Sequence, residues 1–254
     1  MTTDNGQQTT DNFGLSREQS QAGLSDAEAM AKMDATHQQT TDRGGDLEII
    51  IPTAYWGPVQ QYAWMLHADK VQVEQQEHYI KQTYRNRCII AASDGPLPLT
   101  VPIVKPDNDN CPMSRIRISD HGNWRHLHWQ ALTSAYKNSP FFEYYEDDFK
   151  PFYTERWEYL MDYNEAIEKK VCELLDMEVL ASRTAEYIHS YDNGETDLRA
   201  VISPKAKIQD PRFQALPYYQ VFKDKLGFLP NLSIADLLFN MGPEGLLVLR
   251  DSLK

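Results

Sequence analysis

The stretch 47-LEIIIPTAYWGPVQQYAWMLHADKVQVE-74 decides the fold. LEIIIP is a short apolar, β-branched run stopped by Pro52, which predicts a strand buried on both faces. TAYWGP is a loop, and Pro58 suits the first turn of a helix. Val59, Tyr62, Ala63 and Leu66 then recur at helical spacing as far as His67. VQVE at 71–74 alternates as a strand. Strand, helix and strand within about thirty residues make a βαβ unit, so the two strands are expected to lie parallel. The expected fold is α/β, with a mostly parallel central sheet and helices on both faces.

Outward from this unit, further strands are expected at 88–92, 98–104 and 114–118. From Trp124 the pattern turns helical, with helices expected over 124–138, 155–175 and 218–226, the last followed by Gly227. FFEYYEDDFKPFY (141–153) reads as core aromatics with a solvated acidic edge. Residues 190–210 read as loop. Ser233-Ile-Ala-Asp236 has the form of a capping box ahead of an apolar run that should be buried. Residues 1–45 are rich in Gln, Thr, Asp and Gly and poor in large apolar groups, so they are expected to form a disordered polar tail before a domain spanning 46–254.

Composition narrows the function. Five Trp, nine Phe and fourteen Tyr supply a substantial core, and the formal net charge of -12 argues against general nucleic-acid binding. Cys88, Cys111 and Cys172 have neither metal nor redox spacing, which is the pattern of reduced thiols in a cytoplasmic protein. The polar N-terminus reads as carrying no signal peptide, and no apolar run reaches the length of a membrane span. The sequence leaves the oligomeric state open.

Against this acidic background, EHYIKQTYRNRC (77–88) gathers Lys81, Arg85 and Arg87 beside Tyr79, Tyr84 and Asn86. On a strand Arg85 and Arg87 would share a face, and two guanidinium forks suit bidentate binding of phosphate or carboxylate. The same cations could instead pair internally with Glu74 and Glu77. His126-Leu-His128 invites a metal reading, but residues two apart on a helix point away from each other, so no metal site is assigned. His128 acting alone as acid, base or donor is the better reading. DNDNCP (107–112) fails as a calcium loop, having Pro112 where glycine is needed and Ile118 at the twelfth position. Dinucleotide, Walker, GxSxG and HExxH fingerprints are absent, so the sequence names no cofactor.

Several of these blocks, taken in order, resemble the WbqC-like family of bacterial proteins between about Ile49 and Glu244. Pro52, Tyr55 and Pro58 resemble the family's opening segment. Lys81 with Tyr84-Arg85-Asn86-Arg87, then Gly95-Pro96 and Leu99-Thr100-Val101-Pro102, follow its next blocks. Trp124 with His128, Tyr136, Ser139-Pro140-Phe141-Phe142 and Asn164 continue the match, and the block from Phe228 to Asn240 ends it. The chain departs from the family at the opening His-Gln, which is Ile50-Ile51 here, and at paired aspartates replaced by Gln75-Gln76. The stretch before the terminal block is short, and a rebuilt substrate-binding portion is expected around Asp197-Leu-Arg199 and Pro204-Lys205.

The resemblance implies a role near surface-polysaccharide or nucleotide-sugar biosynthesis. On this reading the chain is a group-transfer enzyme (a transferase) for a small anionic substrate. His128 and Lys81 would be catalytic. Tyr55, Tyr84, Arg85, Asn86, Arg87, Asn231, Asp236 and Asn240 would bind substrate beyond the C-terminal ends of the strands. The alternative is a non-catalytic anion- or protein-binding member that has lost the opening histidine.

Overall fold

Ile49, Ile50 and Ile51 are wholly buried. They form the middle of strand β1 (Glu48–Pro52), as a strand covered on both faces should. The computed structural model describes residues 47–106, 108, 110–179, 181–187, 196–205 and 210–254. The expected tail (1–45) and the failed calcium loop at Asp107 and Asp109 therefore lie outside the described residues. Helix α1 (Val59–His67) follows β1, and β2 (Lys70–Glu74) returns parallel to it, with Ile49 beside Val71 and Ile51 beside Val73. The βαβ unit thus forms as its hydrophobic pattern dictates.

Two further parallel strands complete the sheet. β5 (Ala181–Arg183) joins β2, and β6 (Thr196–Asp197) joins β1, giving the order β5-β2-β1-β6. Because all four run the same way, Thr53, Glu74, Thr184 and Arg199 come out at or just beyond one edge. This is the C-terminal edge, where open α/β sheets bind ligands.

Residues 87–100 depart from the parallel expectation. β3 (Arg87–Ala92) and β4 (Gly95–Thr100) form a separate antiparallel hairpin around Ser93-Asp94. Pro96 and Pro98 have no N–H to give to a second neighbour, which confines β4 to an edge. The strand expected at 114–118 is instead a 3-10 turn (Met113–Arg115) followed by single bridges from Arg117 to Tyr159 and Ile118 to Ile103.

Most expected helices form, with shifted limits. Helix α2 spans Trp124–Tyr136. FFEYYEDDFKPFY forms α3 (Phe142–Phe149) and α4 (Pro151–Thr154), which bury Phe142, Phe149 and Tyr153 and leave Tyr144 exposed. α5 (Leu160–Leu174) starts five residues later than expected. The backbone before it is held extended by Ile118 N–H to Glu158 and Leu160 N–H to Ile116. α6 keeps only Lys223–Leu226 of the expected 218–226.

α7 (Ile234–Met241) is the most buried helix, as its apolar run predicts. The Ser233 hydroxyl caps it by accepting from Ala235 N–H at 3.2 Å. Asp236, the other half of the expected capping box, turns inward instead. Gly242 stops the helix at φ +54°, where a Cβ would lie 2.5 Å from the Phe141 ring, so only glycine fits. α8 (Gly245–Asp251) closes the chain against α1.

Candidate functional site

The basic stretch leaves β2 at the C-terminal edge of the sheet and immediately splits its cations. Arg85 lies in a turn ahead of β3, so it does not share a strand face with Arg87. Its guanidinium turns inward. Nε donates to Glu77 Oε1 at 2.6 Å and Nη2 to Oε2 at 2.5 Å. Both residues are over nine-tenths buried. Burial raises the Glu77 carboxyl above its ordinary range, and Arg85 works against that rise.

A second buried pair stands beside it. Glu74 accepts from Arg199 Nη1 at 3.2 Å and from the Thr184 hydroxyl at 2.8 Å, and Arg199 also holds Asp197 at 2.7 Å. Asp197-Leu-Arg199 therefore completes the sheet edge. Each of these guanidinium groups is turned toward a buried carboxylate, so its charge is matched inside the protein.

The neighbouring residues of the stretch anchor it. Tyr84 is buried and gives its carbonyl to Tyr55 N–H. Asn86 Nδ2 donates to the Val101 carbonyl at 2.9 Å. Asn164 Nδ2 donates both to the Arg85 carbonyl (2.8 Å) and to the Thr53 hydroxyl (3.1 Å). What stays outside is Lys81, which is exposed and makes no ion pair among the described residues, and Arg87, which is half-buried. Arg87 Nε donates to the Thr100 hydroxyl at 3.0 Å, its cross-strand neighbour in the hairpin. Lys205 is drawn to the same turn through Gln82 Oε1 at 2.6 Å.

His128 and Tyr55 meet in the interior. The Tyr55 hydroxyl lies 2.9 Å from His128 Nδ1 and 2.9 Å from the Tyr153 hydroxyl, which also accepts from Trp56 Nε1 at 2.8 Å. His126, two residues away on α2, is exposed, so the two histidines do face apart. Burial lowers the His128 pKa to about 4, while the adjacent Thr100 backbone pulls the other way. Arg87 and His128 thus flank Thr100, one at its hydroxyl and the other at its main chain.

The imidazole is neutral at physiological pH, a hydrogen-bonding group with little basicity to offer a proton-transfer step. The His128 ring carbons, followed by NMR, are expected to show no titration between pH 8 and 5. A titration near the ordinary histidine value of about 6.5 would mean the ring opens to water.

The terminal block places its polar residues inside as well. Asp236 is fully buried and accepts from the hydroxyls of Tyr136 (3.0 Å) and Tyr218 (2.8 Å) and from Gln220 Nε2 (2.8 Å). Its burial outweighs these neutral donors and raises its pKa to about 6. Asn240 Nδ2 bonds the Asp236 carbonyl, and Asn231 accepts from Gln60 N–H at 3.0 Å, tying the block to α1.

Of the residues expected to form one site, the structure joins Tyr55 with His128 and brings Arg87 beside them through Thr100. It sets Asp236 and Asn240 in a separate buried network and ties the half-buried Asn231 to Gln60 of α1. Sequence reasoning missed Tyr153, taken only as a core aromatic, and the Glu74–Arg199 pair, whose residues are distant in sequence.

No curated protein and no solved structure matches the chain. One family model does, over residues 55–210, more than half of the sequence, and it leaves the 228–240 block outside its match. By that match the chain belongs to the WbqC-like protein family.

Proposed function

We propose that this WbqC-like chain is a group-transfer enzyme that holds a small anionic substrate, of the nucleotide-sugar or glycan-precursor class, at the turn 81–87. The observation that carries the reading is the division of the cations. Arg85 is committed to Glu77, whereas among the described residues Lys81 has no ion pair and Arg87 is held through Nε to a hydroxyl with no ion pair. A protein with net charge -12 repels anions over most of its surface, so cations without carboxylates on one turn mark where an anion is accepted. Lys205 adds to the same positive rim.

Arg87 would clamp the phosphate or carboxylate with its terminal amines. Lys81 would stabilise negative charge that develops during transfer. His128 would act as a positioning residue, holding the Thr100 segment that aims Arg87. The three cysteines are free thiols, which fits a bacterial cytoplasmic setting.

A second reading, a binder that turns nothing over, is favoured by the opening segment. By the resemblance of its opening segment, the chain would carry Ile50 and Ile51 in place of the family's His-Gln, and both are sealed in β1. Calorimetric titration with UDP-glucose and with pyrophosphate tests binding. Arg87→Lys keeps the charge and loses the fork, so affinity is expected to fall about tenfold, roughly 1.4 kcal/mol, with an unchanged melting temperature. No binding by the parent chain overturns the site. Binding without turnover, followed by phosphorus NMR over hours with UDP-glucose and candidate acceptors, supports the second reading.

A further inference from the structure

α5 does not lie flush on the sheet. Between it and strands β2 and β5 is a cavity of about 330 Å³, reaching Thr53 at the end of β1. At about 30 Å³ per water it holds about ten waters' worth of space, the low end of the range for small-molecule sites. Its walls include three thioethers, Met65, Met161 and Met177, together with Val73 and Val179. Methionine walls adapt to the shape of an apolar guest.

Of the carboxylates in this lining, Glu165, Glu168 and Glu173, one differs from the others. Glu168 is 8 % exposed and, among the described residues, has a single hydrogen bond, a long one of 3.4 Å from Gln61 Nε2. Every other charge around the cavity is neutralised by a neighbour. Glu165 is paired with both Lys169 and Arg183, Asp162 is 2.6 Å from Arg183, and Glu173 is 2.7 Å from Lys170. Glu168 faces Gln61 and Tyr62 from α1 and Glu165, Lys169 and Cys172 from its own helix, and none of them gives it a direct ion pair. Gln61 Oε1 is also buried without a hydrogen-bond partner. Among the described residues the cavity therefore has an apolar body, one acid without an ion pair and no unpaired cation.

We propose that this cavity binds a small molecule with an apolar body and one protonated amine, the ammonium pairing with Glu168. The site is separate from the anion site at turn 81–87 and stands whether or not that reading holds. Burial and the nearby Glu165 raise the Glu168 pKa to about 7. An amine guest would supply the missing positive charge and hold the carboxylate ionised, so binding should strengthen as pH rises through 7.

The test uses the full chain with carbon-13 labelled methionine methyls and n-hexylamine as probe. At pH 8, hexylamine is expected to shift the methyl signals of Met65, Met161 and Met177 and to leave that of Met113 in place. 1-Hexanol should bind at least tenfold more weakly and hexanoate not at all. Glu168→Gln should remove the preference of amine over alcohol while keeping alcohol binding, which also shows that the variant folds. Equal affinity for amine and alcohol in the parent, a preference for hexanoate, or no response of the three methyls would each overturn the proposal.

Discussion

Replacing Arg85 by Ala is expected to destabilise the chain by about 3–5 kcal/mol, the usual cost of stripping one partner from a buried ion pair. For a domain of this size that corresponds to roughly ten degrees of melting temperature. The loss arises less from the absent guanidinium than from what it leaves behind. Glu77 is 6 % exposed and its neighbour Glu74 is wholly buried, so an ionised Glu77 would face another carboxylate without its bidentate partner.

The pH dependence follows from the same charges. Burial already raises the folded-state pKa of Glu77, and removing Arg85 raises it further. A raised carboxyl keeps its stability contribution below its unfolded pKa and loses it as pH rises through the folded value. The variant should therefore lose more stability at pH 8 than at pH 5. Urea denaturation at the two pH values measures this. A cost under about 1 kcal/mol at pH 8 would show that water reaches the pair. Combining Arg85→Met with Glu77→Leu should recover part of the loss, since both charges then leave together. Arg87, tied to a hydroxyl and half-buried, should show none of this behaviour.

The contrast between the two arginines marks where sequence reasoning stops. Both residues are plain in the sequence, and Glu74 and Glu77 are plain as partners. Which arginine turns inward depends on the turn at 81–86, and nothing in YRNR encodes that turn strongly enough to read. The βαβ unit was legible because three consecutive isoleucines can hardly be anything but a doubly covered strand. β5 and β6 were not. Ala-Ser-Arg and Thr-Asp carry no strand pattern, and they become strands only because β2 and β1 offer them hydrogen-bonding edges.

The terminal block shows the opposite failure. Asp236 and Asn240 stand out as polar residues in an apolar run, which reads as ligand-facing. The fold instead spends them on Tyr136, Tyr218, Gln220 and the helix's own backbone. Glu168 was hidden by its neighbours Lys169 and Lys170, which make it look like part of a solvated face. A signal did exist: Met161, Asn164, Glu168 and Cys172 recur at intervals of three and four. That places a lone acid on the inward stripe of α5.

Phe239→Ala is expected to cost about 3–5 kcal/mol, the range for truncating a large aromatic in a core. Phe239 is fully buried in α7 at the meeting point of three other elements. Its ring lies 5.1 Å from Phe142, 5.3 Å from Tyr136, 5.8 Å from Phe149 and 6.0 Å from Trp56, centroid to centroid. Those partners come from α2, α3 and the loop after β1, and none can move into the space alone. Trp56 is fixed by Tyr153, Tyr136 by Asp236, and the Phe239 carbonyl itself accepts from Phe141 N–H at 3.0 Å. The cavity therefore stays largely open, which places the cost in the upper part of the range. Trp56 also leads by one residue to Tyr55 and His128, so the loss should reach the interior hydrogen-bond chain. In Phe239→Ala the His128 ring should begin to titrate above pH 5 while the parent does not. A cost near 1 kcal/mol with an unchanged His128 would mean that the aromatic cluster collapses around the gap and that α7 is not what holds the loop after β1 in place.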